Sequence, residues 1–106
     1  MSTTNNKLAK DRIINALGDL YRVEKHSDMT QAQKDEVATS IAALEEEYLS
    51  LLGYDENTDY SAVTQKFKSA KDALDSVKKD REELANKFVK ASKLLGSIGS
   101  VLKLIL

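Results

Sequence analysis

The sequence predicts an all-α fold, and three observations carry this prediction. The chain of 106 residues contains four Gly and no Pro, a poor supply of turn-forming residues for an all-β protein. Residues of high helix propensity, chiefly Ala, Leu, Lys and Glu, dominate its composition. Apolar residues recur at spacings of three and four along most of the chain. A chain of this length is expected to form one domain, 1–106, with a disordered tail over residues 1–5.

The first helix is expected over residues 6–25. Asn5 or Asn6 can act as its N-cap, because an Asn side chain accepts a hydrogen bond from a free N–H of the first turn. Ile13 and Leu20 then share one face, as expected for an amphipathic helix.

A second helix is expected over residues 30–52, after a polar run at residues 26–28. Thr30 and Gln33 have the spacing of a capping box at its start, and Gly53 is the natural C-terminal cap. Its apolar stripe has heptad spacing and comprises Val37, Ile41, Leu44, Tyr48 and Leu51.

The strongest pattern is an apolar repeat in the second half of the chain. Its positions alternate at spacings of three and four, and Arg81 is the only member that is not apolar. They are Tyr60, Val63, Phe67, Ala70, Leu74, Val77, Arg81, Leu84, Phe88, Ala91, Leu95, Ile98, Leu102 and Ile105. A strict repeat of 3.5 residues predicts one continuous coiled-coil helix over residues 59–105, capped by Thr58 or Asp59.

The alternative is a break near Asp80, where Asp80 and Glu83 could cap a new helix and give a closed four-helix bundle. The continuous helix is favoured because no Gly, Pro or Asn marks a turn there and the heptad phase is kept. Such a helix would be about 70 Å long, against about 30 and 35 Å for the first two. Its last half would therefore lack an intramolecular partner.

Residues 84–106 form a basic amphipathic segment with four Lys and no acid. In helical projection, most large apolar side chains fall on one side, and Lys, Ser and Gly residues fill the other. Gly96 and Gly99 each weaken a helix by about 0.8–1 kcal/mol relative to Ala, which indicates close backbone approach, a kink or a mobile tail. This pattern fits a helix that binds a partner and also one that lies on a membrane surface.

The favoured function is a non-enzymatic protein-interaction module that associates through this C-terminal seam, with itself or with another helical protein. The predicted interface residues are Leu84, Phe88, Leu95, Ile98, Leu102 and Ile105. The alternative is a membrane-surface-binding or toxin-like protein. Its predicted contacts with an anionic surface are Lys87, Lys90, Lys93 and Lys103.

An acidic middle segment gives a third interpretation. Residues 35–65 carry eight acids and no base. Such a segment could compete for a basic site on another protein, as small inhibitor or immunity-type proteins do. The predicted acidic interaction face comprises Glu45, Glu46, Glu47, Asp55, Glu56 and Asp59.

Other functional classes are disfavoured. With no Cys and a single His, the chain lacks the usual zinc and haem ligands, so neither metal nor cofactor is expected. No catalytic residue is assigned, because no Ser has a base at a recognisable spacing and no phosphate-binding Gly motif occurs. A net charge of −1 without a basic, aromatic-interleaved stripe argues against nucleic-acid binding. Without a signal peptide or membrane span, a cytoplasmic location is expected, and export without a signal remains open.

Overall fold

A computed structural model describes residues 4–25, 29–85 and 89–105, and for residues 83–85 and 89–92 it describes the backbone alone. Five helices and no strand are found within these ranges. They are α1 (Asn6–Glu24), α2 (Gln31–Leu51), α3 (Gln65–Lys68), α4 (Lys71–Ala85) and α5 (Val89–Ile105). The prediction of an all-α helical bundle is therefore confirmed.

The first two helices begin as their sequences predict. The Asn5 side chain accepts a hydrogen bond from the Leu8 N–H at 2.9 Å. Thr30 and Gln33 form a capping box, in which the Gln33 N–H donates to Thr30 Oγ1 at 3.2 Å and the Thr30 N–H donates to Gln33 Oε1 at 3.0 Å. Each bond satisfies a backbone donor that the helix itself leaves free.

The predicted glycine cap of α2 is wrong. The helix ends at Leu51, and no glycine in the described part of the chain has the positive φ of a left-handed cap. A short turn closes the end instead, with the Tyr54 N–H donating to the Leu51 carbonyl at 3.0 Å.

The predicted continuous helix over residues 59–105 is also wrong. Residues 59–64 are not helical, α3 is a single turn capped by Thr64, and α4 ends at Ala85. α5 packs back against α4 and also against α1. The molecule measures 40 Å along its longest axis, which is too short for a straight helix of about 70 Å.

The alternative with four long helices is closer to the structure, although α4 continues through Asp80 to Ala85. A repeat of three and four residues identifies a buried stripe, but it does not distinguish one long helix from successive helices facing the same core. Here α3, α4 and α5 each contribute members of the repeat, including Phe67, Leu74 and Ile98, to one cluster.

That core takes a fully buried side chain from every helix. Ile13 of α1, Leu44 of α2 and Phe67 of α3 meet Leu74 of α4 and Ile98 of α5 in one hydrophobic cluster. The C-terminal helix is therefore part of the core, and the half-helix expected to lack an intramolecular partner is packed within the molecule over its described side chains, residues 93–105.

Residues 4–6 are hydrogen-bonded to the loop between α2 and α3. The Tyr60 N–H donates to the Thr4 carbonyl at 2.8 Å, and the Asn6 N–H donates to the Thr58 carbonyl at 2.9 Å. The tail expected over residues 1–5 is therefore held in place from its fourth residue onward, and its first three residues lie outside the described residues.

Candidate functional site

The predicted C-terminal interface lies largely inside the molecule. Ile98 is fully buried, Leu102 is 7% exposed, and Ile105 packs against the core. Leu95 is only partly exposed. The described part of this seam is therefore covered by the chain's own helices, α1 and α4.

Two predicted membrane-contact lysines of α5 are exposed, but the apolar residues beside them are buried. Lys93 and Lys103 are exposed on α5. The apolar residues that would enter a membrane beside them, including Leu94 and Val101, are buried in the core. Two other predicted membrane contacts are not covered, because Lys87 lies outside the described residues and only the backbone of Lys90 is described. The same holds for two predicted interface residues, Phe88 and Leu84 respectively.

Glu47, predicted to belong to the acidic interaction face, is fully buried. Its Oε1 accepts hydrogen bonds from the N–H and the hydroxyl of Thr64, at 2.9 and 2.7 Å. Its Oε2 accepts from the Tyr60 hydroxyl at 2.5 Å and from the Val63 N–H at 3.0 Å. Glu47 therefore fixes the segment before α3 against α2 and cannot contact a partner.

The register of α2 explains this burial. Glu47 comes three residues after Leu44 and four before Leu51, both of which are fully buried. Because residues at these spacings share a helix face, Glu47 faces the interior. This spacing is visible in the sequence and indicates a buried position, whereas the charge of Glu47 alone indicates an exposed one.

Two tyrosines donate to glutamates and have raised pKa values. Burial is the main cause for Tyr60, and the hydrogen bond to Glu47 and the charge of that carboxylate raise its pKa further. On the surface, the hydrogen bond from Tyr21 to Glu45, 2.6 Å long, raises the pKa of Tyr21 to about 12. Both phenols are therefore held in the protonated, donating form.

The other five residues of the predicted acidic face are exposed, at the C-terminal end of α2 and in the loop that follows. Three large apolar side chains stand among them, with exposed fractions of 64% for Leu49, 55% for Leu52 and 51% for Tyr54. We call this region the acidic end surface. It consists of Glu45, Glu46, Leu49, Leu52, Tyr54, Asp55, Glu56 and Asp59.

The acidic end surface keeps a net negative charge. Glu56 pairs with Lys10 at 3.1 Å and Glu46 pairs with Lys66 at 3.3 Å. Water and salt screen such exposed pairs, so each contributes little to stability. The carboxylates without a cationic partner among the described side chains are Glu45, Asp55 and Asp59.

The loop portion of this surface is held in a defined shape. The side-chain amide of Asn6, which is buried, donates to the Asp55 carbonyl at 2.8 Å. The Lys7 N–H donates to the Glu56 carbonyl at 3.1 Å, and the Asn57 N–H donates to the Asp55 side chain at 2.8 Å. The first turn of α1 therefore positions the loop beside the end of α2.

No group of three or more His, Asp or Glu side chains is arranged to hold a metal ion within residues 4–25, 29–82 and 93–105. None of the helices in the described part of the chain is both long enough and apolar enough to cross a membrane. The chain has no match among protein-family models, curated proteins or solved structures.

Proposed function

We propose that this protein is an interaction module that binds a partner through the acidic end surface. The observation that carries the proposal is the position of three exposed apolar side chains, Leu49, Leu52 and Tyr54, among five exposed carboxylates. Exposed apolar side chains accompanied by charged ones are typical of a protein contact site.

The charge of the surface defines the partner. A negatively charged surface favours a partner segment that carries Lys or Arg, because opposite potentials accelerate association and select against acidic partners. The exposed apolar residues require apolar side chains on the same face of that segment. We therefore assign the partner as a basic amphipathic segment of another protein.

The surface is also organised before binding. Glu45 and Leu49 are one turn apart on the outward face of α2, and Leu52 is exposed directly after the helix ends. The bonds from Asn6 and Lys7 hold the adjoining loop. Ordering these groups in advance reduces the entropy lost on binding.

Two other proposals from the sequence have less support. Association through Ile98 and Leu102 would require a partner to displace α5 from the core, because both residues are buried within the chain. Membrane contact through Lys93 and Lys103 would require the same displacement to expose the apolar face beside them.

A designed helical peptide with Lys on one face and Leu on the other is a suitable probe, and its control carries Glu in place of Lys. We expect saturable binding of the Lys peptide, measured by fluorescence anisotropy, with affinity that falls as salt rises. The double variant Leu49→Ser, Leu52→Ser should lose about tenfold or more in affinity. Ile14→Ser is the matched control, because Ile14 is similarly exposed, at 45%, but lies on α1.

Equal binding of the two peptides, or unchanged affinity in the Leu49 and Leu52 variant, would contradict the proposal. Light scattering over a concentration series tests whether a second copy is the occupant. A dimer abolished by the double variant would identify a second copy as the partner. A dimer that persists in this variant would favour the C-terminal seam instead.

A further inference from the structure

A groove of about 330 Å³ lies between α1 and α5. It is lined by Arg12, Asn15, Lys93, Gly96, Ser97 and Ser100. We infer that this groove binds a phosphate group, carried by a small molecule or by a lipid headgroup. The inference is independent of the acidic end surface, which belongs to α2 and the following loop.

Two cations from different helices carry the argument. Arg12 of α1 and Lys93 of α5 line the same groove, and neither forms an ion pair with any side chain that the structure describes. The only hydrogen bond from the Arg12 side chain to a described residue is a long one, 3.5 Å, to Thr4 Oγ1. An anion in the groove would interact favourably with both positive charges.

The carboxylate of Asp19, which contacts the groove residue Ser97, already has its own partners. Asp19 accepts a hydrogen bond from the Ser97 hydroxyl at 2.6 Å and one from Arg22 at 2.7 Å. The positive charge of Arg22 therefore balances the negative charge of Asp19. The Ser97 hydroxyl donates its proton to the same carboxylate. Among the side chains that the structure describes, none forms an ion pair with the groove cations Arg12 and Lys93.

Neutral donors complete the lining. Asn15 contributes a side-chain amide and Ser100 a hydroxyl, both of which can donate to phosphate oxygens. The guanidinium of Arg12 can bind two phosphate oxygens at once, and Lys93 adds a point charge. Phosphate fits this set because its two negative charges match the two cations.

Gly96 keeps the groove open. A Cβ at this position would meet no atom within 4 Å, so packing does not require glycine there. Close backbone approach, which the sequence offered as one reason for this glycine, is therefore absent. A larger side chain at position 96 would instead occupy the groove, whose volume is at the lower end of the range for small-molecule sites.

Binding can be tested by titrating the full chain with inorganic phosphate and with pyrophosphate, following backbone amide NMR signals. We expect saturable shifts at residues 12–15 and 93–100. Arg12→Gln and Lys93→Gln should each weaken binding by about tenfold or more. Lys103→Gln is the matched control, because Lys103 is an exposed lysine of the same helix outside the groove.

Gly96→Leu provides a second variant that blocks the groove without removing charge, and it too should abolish the saturable shifts. Circular dichroism confirms that each variant is folded. Flotation with phosphatidylcholine vesicles, with and without phosphatidic acid, distinguishes the two sources of phosphate. If the protein binds vesicles that contain phosphatidic acid but not free phosphate, and all three groove variants lose vesicle binding, the site is assigned to a lipid headgroup.

Two results would overturn the inference. One is the absence of binding in both the titration and the flotation experiments. The other is a set of shifts that do not saturate, that disappear at physiological salt, and that Lys103→Gln reduces as much as Lys93→Gln does. This result would indicate a general attraction of anions to surface lysines.

Discussion

Thr64 donates both its backbone N–H and its hydroxyl to one carboxylate oxygen of Glu47, at 2.9 and 2.7 Å. Tyr60 and Val63 donate to the other oxygen. One side chain of α2 thus satisfies four donors in residues 60–64, a segment that is not helical. Burial of a carboxylate is tolerated only when such bonds replace its contacts with water.

Glu47→Ala should lower the free energy of unfolding by about 2–5 kcal/mol, because it leaves several buried donors without an acceptor. Glu47→Gln keeps one acceptor oxygen and should therefore lower the free energy of unfolding by less than Glu47→Ala does. Urea denaturation followed by circular dichroism measures both effects. Glu46→Ala, at the neighbouring exposed position, should change stability by no more than about 0.5 kcal/mol. Equal losses at positions 46 and 47 would contradict the structural role of Glu47.

Tyr60 makes stability depend on pH in the alkaline range. Its pKa is raised in the folded chain above the ordinary value of 10.0, so the folded state keeps a proton that the unfolded state releases. The stability from this group is therefore complete below pH 10 and falls as pH rises above that value.

Tyr60→Phe should accordingly lower stability by about 1–2 kcal/mol at neutral pH and flatten the decline above the ordinary phenol pKa. Denaturation at a series of alkaline pH values tests this expectation, together with tyrosinate absorbance. Tyr54→Phe is the matched control, because Tyr54 is exposed and its hydroxyl makes no hydrogen bond to any residue that the structure describes. An unchanged pH slope in Tyr60→Phe would contradict the assignment.

The sequence was sufficient to predict the cap at Thr30 and to limit the first cap to Asn5 or Asn6, because a helix start depends on a few adjacent residues. It was also sufficient to identify Phe67, Leu74 and Ile98 as members of an apolar repeat. It did not reveal where that repeat is divided among helices, because burial against one core preserves the same spacing in each of them.

The candidate sites were harder to predict for a related reason. The acidity of residues 45–59 was visible, but the burial of Glu47 and the exposure of Leu49 depend on how α2 faces the core. The groove between Arg12 and Lys93 joins side chains about 80 positions apart, which only the packing of α1 against α5 brings together. Neither composition nor local spacing contains that information.

Gly96→Ala should raise the free energy of unfolding by about 0.5–1 kcal/mol. Alanine favours the helix over glycine by this amount, and the added methyl group meets no atom within 4 Å. Gly99→Ala should have the same sign, because the space beside that glycine is also open. Thermal and urea denaturation measure both variants. A loss of stability in both would instead favour a kink that requires glycine at these positions.

Substitution of Ile98 separates a role in the core from a role in association. Ile98 is fully buried within the chain, so Ile98→Ala should lower the free energy of unfolding by about 2–5 kcal/mol through lost burial and a residual cavity. Ile14→Ala, at an exposed position of α1, should have a much smaller effect.

Protein concentration provides the deciding comparison for Ile98. If it packs inside one chain, the denaturation midpoints of the wild type and of Ile98→Ala will not change with concentration. If it belongs to an interface between copies, the wild-type midpoint will rise with concentration, because association stabilises the folded state by mass action. Suppose that Ile98→Ala abolishes a concentration dependence of the midpoint and lowers monomer stability only slightly. This result would contradict the core assignment and would favour the C-terminal seam as the contact surface.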